Sequence, residues 1–255
     1  MSAQKFTSSP FVAAIEPITA SDDEIRAALA EAEIPPLLPA LAYISGDMSL
    51  LRDDLRPDPL LFGAMPQGGL TDEQQTRVRE IALDELIKFR DRGCVPAALP
   101  SDEQLLLIME YAVGGAAMAP YLPLLEEELS YRGADRRAPG WRAAEIAPGV
   151  EFRVVVIGAG MSGLLVGHRL QQAGVPFVIV EKNDDVGGTW LENTYPGCRV
   201  DNPNHNYSYA FAQRHDWPFH FSPQDVLLDY FRRCADAFGL REHIRFRTEV
   251  LAAVW

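Results

Sequence analysis

The run Gly158-Ala-Gly160-Met-Ser-Gly163 constrains this chain more than any other segment. It follows Arg153-Val-Val-Val-Ile157, a nearly continuous β-branched run of the kind expected in a parallel strand covered on both faces. It opens a stretch, Met161 to Ala173, that suits a helix and is closed by Gly174. In that setting Gly158 permits the tight turn, Gly160 lets backbone approach a pyrophosphate, and Gly163 allows helix and strand to touch. The helix N-terminus adds free N–H groups and partial positive charge. Three glycines so spaced arise by chance about 0.1 times in a chain of this length, so the motif needs its context. The context is present: a second apolar run, Val175-Pro-Phe-Val-Ile-Val180, leads into Glu181. A carboxylate there accepts hydrogen bonds from both hydroxyls of an adenosine ribose and repels a 2′-phosphate, so FAD or NAD fits at this point and NADP does not.

Upstream the pattern is helical. Ser21-x-x-Glu24, Thr71-x-x-Gln74 and Ser101-x-x-Gln104 are capping boxes, each predicting a helix start. After Thr71, the residues Val78, Ile81, Ala82, Leu86 and Phe89 share one side of a helical wheel, and Gly93 follows as a C-terminal stop. Leu105 to Met109 is apolar all round, which predicts burial in a bundle, and Tyr121 to Leu129 continues in that style. Between Arg132 and Gly149 periodicity stops and Gly133, Pro139, Gly140 and Pro148 punctuate a linker. Downstream, Ser222 reads as the cap of a helix with Pro223 in its first turn and Gly239 at its end, and Ile244 to Trp255 has strand composition. These signals divide the chain into an all-helical domain over 1–133, a linker over 134–150 and an α/β region over 151–255.

Charge narrows the partners. The formal net charge is −13, and residues 1–150 carry 13 Lys/Arg against 24 Asp/Glu while 151–255 carry 10 against 12. That sign repels phosphate backbones and anionic lipid, which argues against nucleic-acid and membrane-surface binding. The apolar run Phe11 to Ile15 is too short for a span or an export signal and is interrupted by Glu16, so a cytoplasmic location is expected. Three cysteines, Cys94, Cys198 and Cys234, without a C-x-x-C pair fit a reducing compartment. His205, His215 and His220 match no zinc spacing, and no metal is expected.

Spacing does not separate FAD from NAD; the residues after Glu181 do so by resemblance. Val186-Gly-Gly-Thr-Trp190, Asn193-Thr-Tyr-Pro-Gly-Cys-Arg-Val-Asp201 and Tyr207-Ser-Tyr-Ala-Phe211 resemble the FAD-binding region of Baeyer–Villiger monooxygenases, within the wider flavin-containing monooxygenase group. The likeness runs from Phe152 to Trp255. The segments Ile34-Pro-Pro-Leu-Leu, Ser45-Gly-Asp and Pro120-Tyr-Leu-Pro-Leu resemble the helical N-terminal extension of the 4-hydroxyacetophenone monooxygenase subgroup.

The resemblance implies an incomplete Rossmann-like FAD-binding domain with a parallel sheet; the helical domain before it lacks a polar catalytic cluster and is expected to serve subunit association, as in a homodimer, rather than chemistry. It implies FAD contacts from Gly158, Gly160, Ser162, Gly163, Glu181 and Gly188. Thr189 and Trp190 would lie along the flavin, and Tyr207 and Val250 would add further FAD contacts. Arg199 and Asp201 would stand where flavin and nicotinamide meet, Asp201 being the catalytic candidate that orients an arginine beside the flavin. For Asp201 a turn-forming role before Asn202-Pro203 stays open, as does core packing for Trp190 and Tyr207. The implied activity is NADPH- and O2-dependent oxygenation of a ketone or aldehyde through a C4a-peroxyflavin. The alternatives are N- or S-oxygenation, or a non-catalytic FAD-binding fragment. The NADPH site, the linking fingerprint and the arginine have no counterpart in these residues, so the chain resembles the front of a longer enzyme.

Overall fold

The computed structural model describes residues 17–58, 66–128, 135–214 and 216–254. Its contacts divide it into two compact units, with the division between Leu125 and Glu126. The Phe11 to Ile15 run, Leu129, His215 and Trp255 lie outside the described residues.

The first unit is helical: α1 (Asp22–Glu31), α2 (Leu37–Ser45), α3 (Asp72–Asp91) and α4 (Asp102–Ala112). All three capping boxes form as the spacing predicts, with Ser21, Thr71 and Ser101 each accepting from the N–H three residues on and receiving the return bond. Each cap contributes about 1 kcal/mol by satisfying N–H groups that a helix start leaves bare. Helix α3 packs against α1 and α2, and α2 against α4. Ala82, Leu83, Leu41 and Ala42 meet Ile25, Leu29 and Ile108 in one core cluster, and Ile34, Leu38, Leu55, Val78 and Tyr111 form a second. Complete burial of each large aliphatic contributes about 1.5–3 kcal/mol, far more than any cap, so the apolar face of α3 sets the unit. Two expectations are corrected. Leu107 is exposed although its neighbours Leu105, Ile108 and Met109 are buried, so α4 is buried on one side only. Helix α5 (Leu122–Glu128) buries no residue.

The second unit contains α6 (Ala143–Ile146), β1 (Val154–Ile157), α7 (Met161–Ala173), β2 (Phe177–Val180), α8 (Thr189–Glu192), α9 (Gln224–Ala237) and β3 (Ile244–Arg245). The strands form one parallel sheet in the order β1-β2-β3, with Val154 opposite Phe177 and Ile179 opposite Ile244. Helix α7 has the expected ends, with Gly174 left-handed at φ 67° as its C-cap. One sheet face is closed: Ile179 is fully buried in a core that includes Leu164 of α7, Leu227 and Phe231 of α9, and Leu240. The other is not. Val155 is 59% and Ile157 67% exposed, which corrects the expectation of a strand covered on both faces. The β-branched run reports the strand, but whether both faces are covered depends on other layers of polypeptide.

Two further boundaries differ. Pro223, not Ser222, is the N-cap of α9, because Ser222 is wholly buried and bonded to Asn204. The Ser222 N–H donates to Asn204 Oδ1 at 3.0 Å, and Asn204 Nδ2 donates to Ser222 Oγ at 2.7 Å. The third strand stops at Arg245, since Arg247 turns at φ 53° and the chain then crosses the end of β2. There Arg247 N–H donates to Asn183 O at 2.9 Å and Thr248 N–H to Glu181 O at 2.8 Å.

Candidate functional site

The site grows out of the end of β1. Gly158 takes φ 90°, a conformation that strongly favours glycine, and the space where its side chain would stand is open. A Cβ on Gly163 would lie 1.9 Å from Gly158 O, so a side chain at Gly163 would push the turn apart. A Cβ on Gly160 would lie 3.3 Å from Gly188 Cα, and one on Gly188 2.9 Å from Gly160 Cα. The close approach at Gly160 is therefore to a second glycine turn, Gly187-Gly188, as well as to any ligand. That contact was not visible in the spacing of the first motif. The first-turn N–H groups of α7 begin at Met161, with exposed Ser162 beside them, and lack intrahelical acceptors.

Glu181 stands directly after β2 and is 4% exposed. Its Oε2 accepts from Ala159 N–H at 2.7 Å and its Oε1 from Asn183 N–H at 2.8 Å. The Ala159 carbonyl in turn accepts from Gly187 N–H at 3.1 Å. A cleft of about 320 Å³ opens beside this arrangement, lined by Gly158, Gly160, Glu181, Gly188, Thr248 and Val250 among others. Lys182 and Glu192 pair at 3.0 Å at its rim.

The second turn has an anchor that the sequence reading missed. Asp185 Oδ1 accepts from Val186 N–H at 2.8 Å and from Arg241 Nη1 at 3.0 Å, while Oδ2 accepts from Arg232 Nε at 2.7 Å. Burial alone would raise its carboxyl, but the Val186 amide and the two guanidinium groups outweigh that and hold it below the usual carboxylate range. Nothing in the local sequence sets Asp185 apart from its neighbour Asp184; the difference is made by arginines 47 and 56 residues away.

The remaining residues fall outside the cleft lining. Trp190 is buried in the core, its Nε1 donating to Tyr207 Oη at 3.2 Å and its ring edge-on to Tyr207 at 5.7 Å. Its carbonyl accepts from Gln224 Nε2 of α9. Thr189, Arg199 and Asp201 are exposed, and Arg199 pairs backbone with Pro223. Gly158, Gly160, Glu181, Gly188 and Val250 are thus gathered at one cleft, whereas Arg199 and Asp201 are not among its lining residues.

A strand, a glycine turn, a helix N-terminus and a buried carboxylate at the end of the next strand together define a dinucleotide-binding unit. Comparisons with known proteins agree with that class. Residues 156–233 match the family model described as an NAD(P)-binding Rossmann-like domain. An uncharacterized monooxygenase, y4iD, of Sinorhizobium fredii is 36% identical over 227 residues, 89% of this chain and 33% of its own. A Baeyer–Villiger monooxygenase of Streptomyces coelicolor is 47% identical over 104 residues, 40% of this chain and 20% of its own. Among solved structures, an oxidized steroid monooxygenase bound to NADP is 38% identical, with a TM-score of 0.36 over 38% of this chain and 20% of its own. Over the matched parts, the chain is similar to FAD-binding monooxygenases, one of them of the Baeyer–Villiger type. It spans a third or less of the length of these relatives. The 227-residue match is long enough to reach into the helical unit, so y4iD shares part of that unit as well.

Proposed function

We propose that the second unit binds the adenosine diphosphate half of FAD, within a monooxygenase that uses NADPH and O2 to convert a ketone or aldehyde to an ester or lactone. The observation that carries this reading is the buried Glu181 carboxylate beside the open side of Gly158, at the mouth of α7. The residues fit the cofactor: the space beside Gly158 is empty, the N–H groups of α7 suit a pyrophosphate, and Glu181 keeps lone pairs for ribose hydroxyls. Gly158, Gly160, Ser162, Gly163 and Gly188 would hold the phosphates and Glu181 the ribose, with Val250 at the adenosine side. Thr189, Trp190 and Tyr207 would support the flavin end, and Arg199 with Asp201 would face the nicotinamide. FAD supplies the redox and oxygen-activating chemistry when bound. The chain's part is to orient it, and Asp201 would hold a guanidinium in a fixed direction by bidentate hydrogen bonding.

The helical residues 1–133 are proposed to mediate self-association, with 134–150 as linker and 151–255 as the cofactor domain. Exposed Val95, Leu99 and Leu107 on the first unit support that role. The decisive experiment is FAD titration of the wild-type chain and of Glu181→Ala. Loss of a charge-assisted acceptor weakens binding by about tenfold or more. Equal affinities would refute the assignment. Ester formation from an aryl ketone, in the length of protein that cells make, tests the activity.

A further inference from the structure

We propose that Glu181 is a positioning residue that locks the glycine turn into its phosphate-binding shape before any cofactor arrives. The Ala159 peptide is held from both sides: its N–H by Glu181 Oε2 at 2.7 Å and its carbonyl by Gly187 N–H at 3.1 Å. Ala159 itself has no exposed surface. The other carboxylate oxygen takes Asn183 N–H at 2.8 Å, so one side chain bridges the first glycine turn and the segment leading to the second. Backbone bonds fix the carboxylate's own position: Glu181 N–H donates to Arg245 O at 2.9 Å and its carbonyl accepts from Thr248 N–H at 2.8 Å. Gly158 N–H is held by Val180 O at 2.8 Å, and Glu181 adds a side-chain hold on the next peptide. Gly158 and Gly187 adopt φ 90° and 129°, and glycine pays a large entropy to be ordered.

A ligand that meets a turn already ordered does not bear that cost, so the lock raises affinity for the phosphates as well as for the ribose. The Ala159 N–H, spent on Glu181, is not a phosphate donor; those donors lie further on, at the start of α7. Glutamine is the informative replacement. Its amide has one acceptor oxygen and one NH2 donor, so either Ala159 N–H or Asn183 N–H would face a donor.

The proposal rests on the dinucleotide reading for its ligand, but its first test needs no ligand. In the flavin-free wild-type chain, amide hydrogen exchange at Ala159 and Asn183 is expected to be protected. In Glu181→Gln at least one of them exchanges about tenfold faster or more, while Ile179 in β2 is unchanged. Unprotected Ala159 and Asn183 in the wild type, a measurement that requires no variant to fold, would overturn the lock. So would equal acceleration at Ile179, which would mark a merely structural role. The second test uses 2′,3′-dideoxyadenosine 5′-diphosphate, which has no ribose hydroxyl for Glu181 to bind. The lock predicts that Glu181→Gln weakens this probe about tenfold too, whereas a role as ribose acceptor only leaves it unaffected and refutes the proposal. Protected amides in a wild type that binds neither ADP nor FAD would sink the cofactor reading and leave the lock standing.

Discussion

His168 sits on the buried side of α7, its ring stacked on Phe211 at 4.7 Å and tilted against Phe238 at 4.3 Å. Burial, with Arg169 adding to it and Asp135 opposing, pushes its imidazole down to about 4 from an ordinary 6.5. The unfolded chain therefore takes up a proton below pH 6.5 that the folded chain refuses until about pH 4. Stability is fully present above 6.5, is lost as pH falls through that interval, and is flat below it. The difference caps the effect at about 3 kcal/mol, and about 2 kcal/mol of it should be gone by pH 5. Asp135 and Asp185 do not confuse the measurement, because both carboxyls lie below their usual range and stay charged above pH 5. Residues 14–125 contain no tryptophan, while Trp141, Trp190 and Trp217 belong to the second unit, so tryptophan fluorescence during urea unfolding reports on it. Wild type and His168→Leu, compared at pH 7.5 and pH 5, should differ in pH dependence by about 2 kcal/mol, with the wild type losing more. The absolute stability of the variant is immaterial, since it is the slope that is read. Parallel losses in the two proteins would refute a neutral, desolvated His168.

Gly163→Ala should lower the stability of the second unit by about 1–3 kcal/mol or more, because its Cβ would stand 1.9 Å from Gly158 O; an unchanged urea midpoint would contradict the close contact. Limited proteolysis is expected to cut first between Arg132 and Gly149, and early cleavage inside Asp72–Arg92 would show the proposed domain boundary to be wrong. The 255-residue chain given FAD, NADPH and an aryl ketone should form no ester above the enzyme-free control, since its sequence holds a single Gly-x-Gly-x-x-Gly turn, which the proposed FAD site takes up. Ester formation would overturn that dependence on further polypeptide.

What the amino-acid order determined by itself is local. The caps at Ser21, Thr71 and Ser101 depend on partners three residues away, and α7 runs from the glycine turn to a left-handed Gly174, so both were legible without a fold. The dinucleotide class was legible for the same reason, since Gly158, Gly160 and Gly163 act within one strand-to-helix turn. Tertiary structure decided what depends on residues far along the chain. Asn204 draws Ser222 into the core, away from the cap that its position before Pro223 suggested. Arg232 and Arg241 select Asp185 over Asp184. The Trp190 indole donates to Tyr207, although the resemblance placed it along the flavin with core packing as the alternative. Val155 and Ile157 carry the side chains of a covered strand yet are exposed, because a sequence records apolarity and only the assembled layers of polypeptide decide whether it is buried. Glu181 joins the two cases: its place after β2 is fixed locally, but its hold on Ala159 exists only because the parallel pairing of β1 and β2 brings their ends together, with Gly158 N–H 2.8 Å from Val180 O.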